Sequence, residues 1–505
     1  MPVARMLGRL AALYGWRANA VAFGLGVVAA LALPPLYGVP VLLLAFPGLL
    51  ALLDGAPRPS VAAWRGWWFG FGLNLVGLYW ITEAILVDAA QYWWLVPLAV
   101  PAVSAIMALF IAAATSVARL ARPGWPRALA LAGGWVLADI AREFVGTGFP
   151  WNPLGSVWEF PGRVGDVFIQ PGAWIGIDGI TLLTVLLASA PARGWRWRSA
   201  SVAVFAAWIV AGVARLQQPV PIAPPLHVVL VQGDVAEGQK WDSSLLLSIF
   251  QRYLRLTREG VAQAGSGPAV VVWPETAFPF TLAQEPGARQ LISQATEGAP
   301  ALIGSVRYDR DRRPRNSMFA LVDSGTIAAV YDKWHLVPFG EYQPDWLPIG
   351  IQVVPGGGFA RGPGPRTLHV PGLPPLGPLI CYEAIFSGEI TDEADRPDWL
   401  VNITNDAWFG DSTGPRQHLA AARMRAVEEG LPLMRAANTG ISAAFDAKGR
   451  ELTHLGIGRM GFLVVSLPAP VPRTLFARFG LLIPGGAATV LLCTGLLTRR
   501  ISARG

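Results

Sequence analysis

The chain has 505 residues, of which 53% are hydrophobic and only 14% are charged, and its formal net charge is +7. About a quarter of the residues in a typical soluble domain are charged, so this composition excludes an ordinary soluble protein. The length leaves room for a membrane part and a separate domain. The positive charge does not indicate nucleic-acid binding, because the arginines lie in short loops between apolar stretches. We therefore expect no nucleic-acid partner.

Seven apolar stretches follow one another in the first part of the chain, and an eighth lies near its end. They cover about 18–34, 37–53, 65–83, 93–118, 127–142, 171–191, 199–214 and 478–497. Each is close to the ~20 residues that a helix needs to cross the hydrocarbon core of a bilayer. The pattern predicts a polytopic α-helical membrane domain of about eight spans, with seven in residues 1–217 and the last in residues 476–505.

The arginines predict how these spans are oriented. With a cytoplasmic N-terminus, the cytoplasmic segments are rich in arginine, whereas the short loops on the opposite side hold only Arg142 and Arg163. The positive-inside rule then predicts both termini in the cytoplasm and residues 218–475 on the outer face, which in a bacterium is the periplasmic side of the inner membrane. The loop 143–170, rich in glycine, proline and aromatic residues, has two interpretations: a re-entrant or interfacial segment, or an ordered connector.

After the proline-rich segment 218–225, the pattern changes to alternating strands and helices. The predicted strands are Leu226–Gln232, Val270–Trp273, Ala301–Val306, Ser317–Val322, Ile327–Tyr331, Leu376–Cys381, Trp399–Thr404, Ser442–Phe445 and Phe462–Ser466. The predicted helices cover about 243–263, 288–297 and 415–430. These elements are consistent with a two-layered sheet flanked by helices.

One of the two cysteines is a candidate nucleophile. Cys493 lies in the last apolar stretch and Cys381 in the polar part, so a disulfide framework is not expected. Cysteine attacks as a thiolate, and its ordinary pKa of about 8.5 leaves little thiolate at neutral pH, so a general base is needed. Glu275, at the end of an apolar strand, is the candidate base. Lys333 and the backbone N–H of Tyr382 are the candidate stabilisers of the oxyanion that attack on a carbonyl creates.

Each of these residues alone has an ordinary structural explanation. Glu275 could cap a helix or turn, Lys333 could be a surface charge, and Cys381 could be a core cysteine. Lys333 is nevertheless unusual, because the chain has only three lysines among its 40 basic residues. His335 lies two residues from Lys333, and nothing in the sequence ties it to Cys381, so a Cys–His pair is not expected. No histidine spacing suggests a metal site, and we expect neither a metal nor a cofactor.

Four short segments together resemble the nitrilase, or carbon–nitrogen hydrolase, superfamily. They are Trp273-Pro-Glu-Thr276, Lys333-x4-Pro338-Phe-Gly-Glu341, Cys381-Tyr-Glu383 and Asn402-x-Thr-Asn405-Asp-x-Trp408-Phe409. With seven spans before this domain and one after it, the chain resembles the apolipoprotein N-acyltransferase family over essentially its whole length. The resemblance implies that residues 218–475 form an α/β nitrilase-like αββα sandwich.

The resemblance also implies roles for individual residues. The Glu–Lys–Cys triad of the family falls on Glu275, Lys333 and Cys381. Its two supporting glutamates match Glu341 and Glu383, and the tryptophan of its mobile loop matches Trp241.

The implied activity is a two-step acyl exchange. Cys381 takes an acyl chain from a membrane phospholipid as a thioester. The α-amino group of the diacylglyceryl-cysteine at the N-terminus of an apolipoprotein then takes the chain as an amide. We expect these two substrates and the membrane as partners, and a monomer. Two other classes stay open: a membrane-anchored nitrilase-type amidase that hydrolyses a lipid amide or ester, and an inactive domain that serves as a binding module.

Overall fold

The computed structural model describes residues 2–240, 242–278, 280–344 and 358–501. The chain divides into two compact units. The first unit comprises the residues up to Gln218 together with those from Leu475 onward, and the second unit is Pro219–Thr474. The second unit is therefore one continuous insertion between two parts of the first.

The first unit is helical, as its long apolar runs predict. Up to Gln218, its described helices are α1 Pro2–Ala11, α2 Gly15–Ala30, α3 Leu42–Asp54, α4 Pro59–Gly77, α5 Ile81–Leu86, α6 Ala89–Tyr92, α7 Val96–Ala118, α8 Trp125–Phe144, α9 Gly162–Ile169, α10 Gly172–Ser189 and α11 Trp195–Gln217.

Small residues let helices of this unit approach one another closely. A Cβ atom added to Gly26 of α2 would lie 2.0 Å from the carbonyl oxygen of Phe69 on α4. A Cβ atom added to Gly66 of α4 would lie 1.9 Å from Oγ1 of Thr115 on α7. Helices in a membrane gain nothing from the hydrophobic effect when they associate, because lipid is as apolar as their side chains. They therefore commonly pack through close backbone contacts at small residues.

The segment between α8 and α10 is an ordered part of the first unit. It contains a 3-10 helix, Leu154–Trp158, and the helix α9. The backbone N–H of Gly155 donates to Thr181 Oγ1 at 2.8 Å, and Nε1 of Trp158 donates to Thr184 Oγ1 at 2.8 Å. These bonds tie the segment to α10, so it is ordered, and whether it is a re-entrant or interfacial segment or a plain connector stays a prediction.

The second unit alternates strands and helices. Its described helices are α12 Glu237–Lys240, α13 Leu246–Ala264, α14 Pro286–Ala295 and α15 Gly414–Glu429. Its described strands are β1 His227–Gln232, β2 Ala269–Val272, β3 Ala301–Tyr308, β4 Pro314–Val322, β5 Thr326–Asp332, β6 Leu376–Ile380, β7 Trp399–Thr404, β8 Leu433–Ala437, β9 Ser442–Phe445, β10 Glu451–Leu455 and β11 Gly461–Ser466.

These strands form two mixed sheets. The strand order is β11-β1-β2-β3-β4-β5 in the first sheet and β10-β9-β8-β7-β6 in the second. Strands β1, β2 and β3 run parallel to one another, and so do β6, β7 and β8. The other neighbouring strands pair antiparallel. The carboxyl ends of parallel strands meet at one edge of a sheet, where functional side chains commonly gather.

Alternating side chains sort the core of the second unit into layers. Val228 of β1 and Val401 of β7 belong to one cluster between the two sheets. Val229 belongs to a second cluster that the first sheet shares with α13 and α14. Leu400 belongs to a third, shared with α15. The order helix–sheet–sheet–helix is the expected αββα layering.

Two strands of the structure are missing from the sequence prediction, and most predicted strands differ from the observed ones by one to three residues at an end. Strand β8 was not predicted, because Leu433-Met-Arg-Ala-Ala437 contains no β-branched residue, and its burial in a sheet decides its conformation. Strand β10 was not predicted, because it is polar and mostly exposed. The strand predicted at Leu376–Cys381 ends one residue earlier, since Cys381 begins a 3-10 helix, Cys381–Ile385.

The chain returns to the first unit in α16 Leu475–Phe479 and α17 Leu482–Ile501. Within the described residues, three helical stretches are long and apolar enough to cross a membrane: Ala89–Ala118, Gly172–Ala192 and Trp195–Gln217. The apolar helices Val39–Asp54 and Leu482–Thr498 are shorter. Helices coincide with all eight predicted stretches, while the number of eight spans stays a prediction.

Candidate active site

Glu275 lies in a turn just beyond the carboxyl end of β2. The turn fits closely against β3, because a Cβ atom at Gly304 would lie 2.1 Å from the carbonyl oxygen of Pro274. Only glycine leaves room for this approach. The carboxylate of Glu275 is buried. Its Oε2 accepts a bond from the backbone N–H of Asn405 at 2.8 Å, and its Oε1 faces Lys333.

Lys333 follows β5 and lies between two carboxylates. Its ammonium is 3.2 Å from Oε1 of Glu275 and 2.9 Å from Oε1 of Glu341, and the residue is only 1% exposed. Burial disfavours the charged ammonium, but the two carboxylates outweigh it, so the pKa of Lys333 lies well above its ordinary value. Lys333 therefore stays protonated at neutral pH.

Asn316 of β4 holds the same two carboxylates. Its Nδ2 donates to Oε1 of Glu275 at 2.7 Å and to Oε1 of Glu341 at 3.0 Å. Oε2 of Glu341 accepts from the backbone N–H of Val337 at 2.9 Å. The bonds fix both carboxylates and the ammonium in one arrangement, because every member has at least two partners.

Cys381 occupies the sharp turn between β6 and the 3-10 helix that follows. Its φ is 51°, in the left-handed region that costs free energy for a residue with a Cβ. Burial raises the pKa of the Cys381 thiol well above its ordinary value, and the charge of Glu275 raises it further. The charge of Lys333 and a hydrogen bond with Thr404 lower it. The thiol thus lies within electrostatic reach of both Glu275 and Lys333.

Glu383 connects this turn to the segment after β5. Its Oε2 accepts from the backbone N–H of Ile380 at 2.6 Å. Its Oε1 accepts from the backbone N–H of Trp334 at 2.7 Å and from the hydroxyl of Tyr331 at 2.9 Å. Burial raises the pKa of Glu383 to about 7, although these bonds and the charge of Lys333 lower it. Glu383 thereby couples the residues that flank Cys381 to those that flank Lys333.

A second buried charge cluster lies behind Cys381. Nε2 of His418, on α15, donates to the carbonyl oxygen of Cys381 at 3.0 Å, and its Nδ1 lies 2.9 Å from Oδ1 of Asp406. Oδ2 of Asp406 accepts from Arg435 of β8 at 2.7 Å. Burial alone would raise the pKa of Asp406, but Arg435 and His418 outweigh it and lower this pKa to about 2. The cluster holds the backbone of Cys381 through His418, and the charge of Asp406 also raises the pKa of the Cys381 thiol.

The structure brings Glu275, Lys333 and Glu341 into direct contact and places Cys381 and Glu383 beside them. Tyr382 follows Cys381 with its ring buried, 5.3 Å from the ring of Phe386 between centroids. Trp241 lies outside the described residues.

Asn316, Asp406 and His418 are site residues that the sequence alone did not predict. Asp406 lies in the segment Asn402–Phe409 that carried the resemblance, and this was a signal that it belongs to the site. Asn316 and His418 gave no signal, because each is brought in from an element far away in the chain.

His335, which the sequence does not favour as a partner of Cys381, and the second cysteine have other surroundings. The ring of His335 stacks on Phe386, with 3.7 Å between centroids, and its Nε2 is 3.3 Å from Glu389. Cys493 is exposed on α17 of the first unit.

The chain matches two family models. The model of the apolipoprotein N-acyltransferase N-terminal domain covers residues 25–190, and the carbon–nitrogen hydrolase model covers residues 228–471. Among solved structures, an amidase from Nesterenkonia sp. is similar to half of the chain, with a TM-score of 0.38 and 21% identity over 93% of the amidase.

Curated relatives match over nearly the whole length. An apolipoprotein N-acyltransferase of Rhodopseudomonas palustris is 40% identical, and the match covers 96% of each chain. One of Brucella melitensis is also 40% identical, over 99% of this chain and 98% of its own. One of Sinorhizobium medicae is 40% identical over 93% of both. With the helical unit and the buried carboxylate–lysine–cysteine site described above, these matches show that the chain belongs to the apolipoprotein N-acyltransferase family.

Proposed function

We propose that this acyltransferase moves an acyl chain from a membrane phospholipid to the α-amino group of the N-terminal diacylglyceryl-cysteine of an apolipoprotein, with Cys381 as the covalent carrier. The relatives are named for transfer to an apolipoprotein nitrogen. The observation that carries the proposal is the position of Lys333, buried between Glu275 and Glu341 beside the Cys381 thiol.

In the first step, Glu275 takes the proton of the Cys381 thiol. Burial holds the pKa of this thiol so high that the free thiolate is scarce, so the proton has to leave as the sulfur attacks. The S–C bond forms at the ester carbonyl of the phospholipid. The C–O bond then breaks, the alkoxide takes the proton back from Glu275, and a lysophospholipid leaves the thioester enzyme.

The oxyanion formed during attack needs fixed positive charge. Lys333 supplies it in a buried site, where it is already held by Glu275 and Glu341 and needs no rearrangement. We assign the backbone N–H of Tyr382 as the second donor. Glu341 and Glu383 act as positioning residues, the first on the ammonium and the second on the turn of Cys381.

In the second step, the amine of the lipoprotein attacks the thioester carbonyl. Glu275 accepts the proton that the amine loses, and the thiolate of Cys381 leaves and takes up that proton. The product is an amide, and the enzyme returns to its starting state. Trp241 is assigned to the substrate loop on the sequence resemblance alone.

Both substrates carry acyl chains that reside in a bilayer, so the membrane setting is part of the proposal. We propose eight spans in the inner membrane, cytoplasmic termini, and a periplasmic catalytic domain at residues 218–475 in a monomer. The arginine bias between the loops supports this orientation. Protease access to the catalytic domain in spheroplasts, but not in inverted vesicles, is the expected result.

The direct test is intact-mass analysis of the purified protein after incubation with phospholipid. We expect one acyl adduct that disappears when a diacylglyceryl-cysteine peptide is added and that persists in its absence. An adduct that water removes as fast as the peptide does would identify an amidase or esterase. No adduct under any condition would identify an inactive binding domain, and either outcome overturns the proposal.

A further inference from the structure

A short helix of the second unit carries a buried lysine that the proposed reaction steps do not use. The helix is α12, Glu237–Lys240, and it follows the loop after β1. Lys240 is only 3% exposed, although lysine is almost never fully buried unless its ammonium is paired. The groups that this ammonium contacts therefore indicate what the lysine does.

The ammonium of Lys240 contacts the turn that carries the candidate base. Its Nζ donates to the backbone carbonyl oxygen of Glu275 at 3.4 Å and to the hydroxyl of Thr276. The two acceptors belong to consecutive residues, and neither is part of the Glu275 carboxylate. These two bonds therefore fix the turn itself.

The turn has a conformation that needs support from its surroundings. The φ of Thr276 is 45°, in the left-handed region, which is sterically unfavourable for a β-branched residue. Such a conformation costs free energy and persists only where neighbouring groups enforce it. Gly304 of β3 packs against the turn, and a Cβ atom there would lie 2.8 Å from the backbone nitrogen of Thr276. The bonds from Lys240 add to this packing.

The first residue of α12 is attached to the same base by a second route. Oε2 of Glu237 accepts from Nδ2 of Asn405 at 2.6 Å. The backbone N–H of Asn405 in turn donates to Oε2 of Glu275 at 2.8 Å. Helix α12 is thus linked to Glu275 through both of its ends, once at the backbone and once at the carboxylate.

The loop before α12 is also held in place. Nδ2 of Asn438 donates to the carbonyl oxygen of Val235 at 2.7 Å, and Oδ1 of Asn438 accepts from the backbone N–H of Val235 at 3.0 Å. The same Nδ2 donates to Oδ1 of Asn405 at 2.9 Å. Because the loop is fixed on both sides of α12, Lys240 contacts the turn from a rigid support, which is what precise placement of a reactive group requires.

We propose that Lys240 is a positioning residue for the base Glu275. Its two hydrogen bonds hold the turn so that the carboxylate stays within reach of the Cys381 thiol. The inference rests on the proposed function, in which Glu275 takes the proton of that thiol. A small displacement of the carboxylate slows proton transfer, because a general base has to lie within hydrogen-bond reach of the proton that it abstracts.

The test is a double-mutant cycle of Lys240→Met and Glu275→Gln in the purified full-length protein. The readout is the rate of thioester formation by intact mass at pH 7 with saturating phospholipid. Lys240→Met keeps the length of the side chain and removes its donors, so it should slow the reaction by about 30-fold when Glu275 is present. When Glu275 is already replaced, the same change should slow the remaining rate by less than about threefold, because it acts through the base.

Two sets of variants separate positioning from general damage. Lys448→Met is the matched control, because Lys448 is 2% exposed and lies between β9 and β10 of the same unit. It should change the rate by less than about twofold, since Lys448 is no part of the candidate active site. Thr276→Ser keeps the hydroxyl that accepts from Lys240 and should keep the rate within about threefold, whereas Thr276→Val should slow it by about tenfold.

Equal slowing by Lys240→Met in the two backgrounds would show a general structural role and overturn the proposal. An equal loss in the Lys448→Met variant would do the same. If Lys240→Met does not yield folded protein, the Thr276 variants decide, and equal rates of Thr276→Ser and Thr276→Val would then overturn the proposal. Failure of the proposed function is distinguishable, because wild type itself would then form no acyl adduct.

Discussion

The two sheets of the second unit differ in what they hold beside the carboxyl ends of their strands. The first sheet brings Glu275 and Lys333, whose charges shift the pKa of the Cys381 thiol, and Asn316, which donates to Glu275. The second sheet brings Cys381 itself and a charge cluster whose member His418 donates to the backbone carbonyl oxygen of Cys381. Both clusters are buried, and both combine carboxylates with cations.

The difference separates chemistry from positioning. The first cluster contains two carboxylates and one lysine, so it can accept a proton from the thiol and still keep its ammonium. In the second cluster Asp406 is paired with Arg435, and its pKa of about 2 keeps it ionised, so it cannot exchange protons near neutral pH. We therefore expect loss of the base on the first sheet to alter the pH dependence of the reaction, and loss of His418 behind the second sheet to lower its rate without altering that dependence.

The largest expected effect is that of replacing Cys381. Cys381→Ala should abolish the thioester, and Cys381→Ser should be nearly inactive because a hydroxyl is much harder to deprotonate than a thiol. The measurement is the acyl adduct by intact mass. Cys493→Ala is the control, because that thiol is exposed in the other unit, and it should keep full activity. Equal losses in Cys381→Ala and Cys493→Ala would contradict the nucleophile assignment.

Glu275→Gln tests the base on the first sheet. The amide keeps the shape but cannot accept the thiol proton, so thioester formation at neutral pH should fall by about 10³-fold, within the range of general-base contributions. Because burial holds the pKa of Cys381 far above its ordinary value, the remaining rate should rise about tenfold per pH unit up to at least pH 9. Rates measured from pH 6 to 9 decide this, and a flat profile would argue against the base.

Lys333→Arg tests the cation of the same cluster. A guanidinium keeps the charge but cannot occupy the position between Glu275 and Glu341 with the same geometry. The rate should fall by about 10²-fold, the loss typical of a displaced oxyanion donor, and higher pH should not restore it. Saturating phospholipid and the same pH series give the comparison with Glu275→Gln. Restoration of the Lys333→Arg rate at high pH would reverse the two assignments.

His418→Gln tests the second sheet. The change removes the bridge between Asp406 and the carbonyl oxygen of Cys381, so the strained turn is held less firmly. We expect thioester formation to slow by about tenfold, because small misplacements of a reacting group are costly. The pH profile should keep the wild-type shape. A changed profile would mean that His418 takes part in proton transfer and that the separation between the sheets is wrong.

Glu383→Gln tests the residue that links the two sheets, and the test is its effect on stability. Because burial raises the pKa of Glu383 from 4.5 to about 7, the folded protein keeps a proton in this range that the unfolded chain releases. The free energy of unfolding should therefore fall by roughly 3 kcal/mol as pH rises from 4.5 to 7. The variant should lack this fall, which thermal midpoints in detergent at several pH values can measure. Identical slopes for wild type and variant would contradict it.

The sequence by itself predicted the features that depend on short, continuous segments. Apolar stretches predicted the helical unit, and alternating patterns predicted most strands of the second unit, because burial of a face repeats along each element. The segments around Glu275, Lys333 and Cys381 were recognisable, since each follows a strand and carries its candidate site residue within a few positions. These segments also indicated the family, which the comparisons confirm.

The lysines show what the sequence alone could not predict. The chain retains only Lys240, Lys333 and Lys448, and all three are buried. Their rarity in the sequence suggested that position 333 requires an ammonium, but no pattern along the chain could name the two carboxylates that surround it. One of these, Glu275, is separated from Lys333 by three strands.

Only the tertiary structure decided which side chains from distant parts of the sequence complete the site and hold its other residues in place. Asn316 joins Glu275 and Glu341 because β4 lies beside β5, and His418 reaches Cys381 because α15 covers the second sheet. The same holds for strand β8, whose composition does not favour a strand but whose neighbours bury it in one. Such contacts depend on the pairing of strands and the packing of layers, which bring together residues whose separation in the sequence carries no signal.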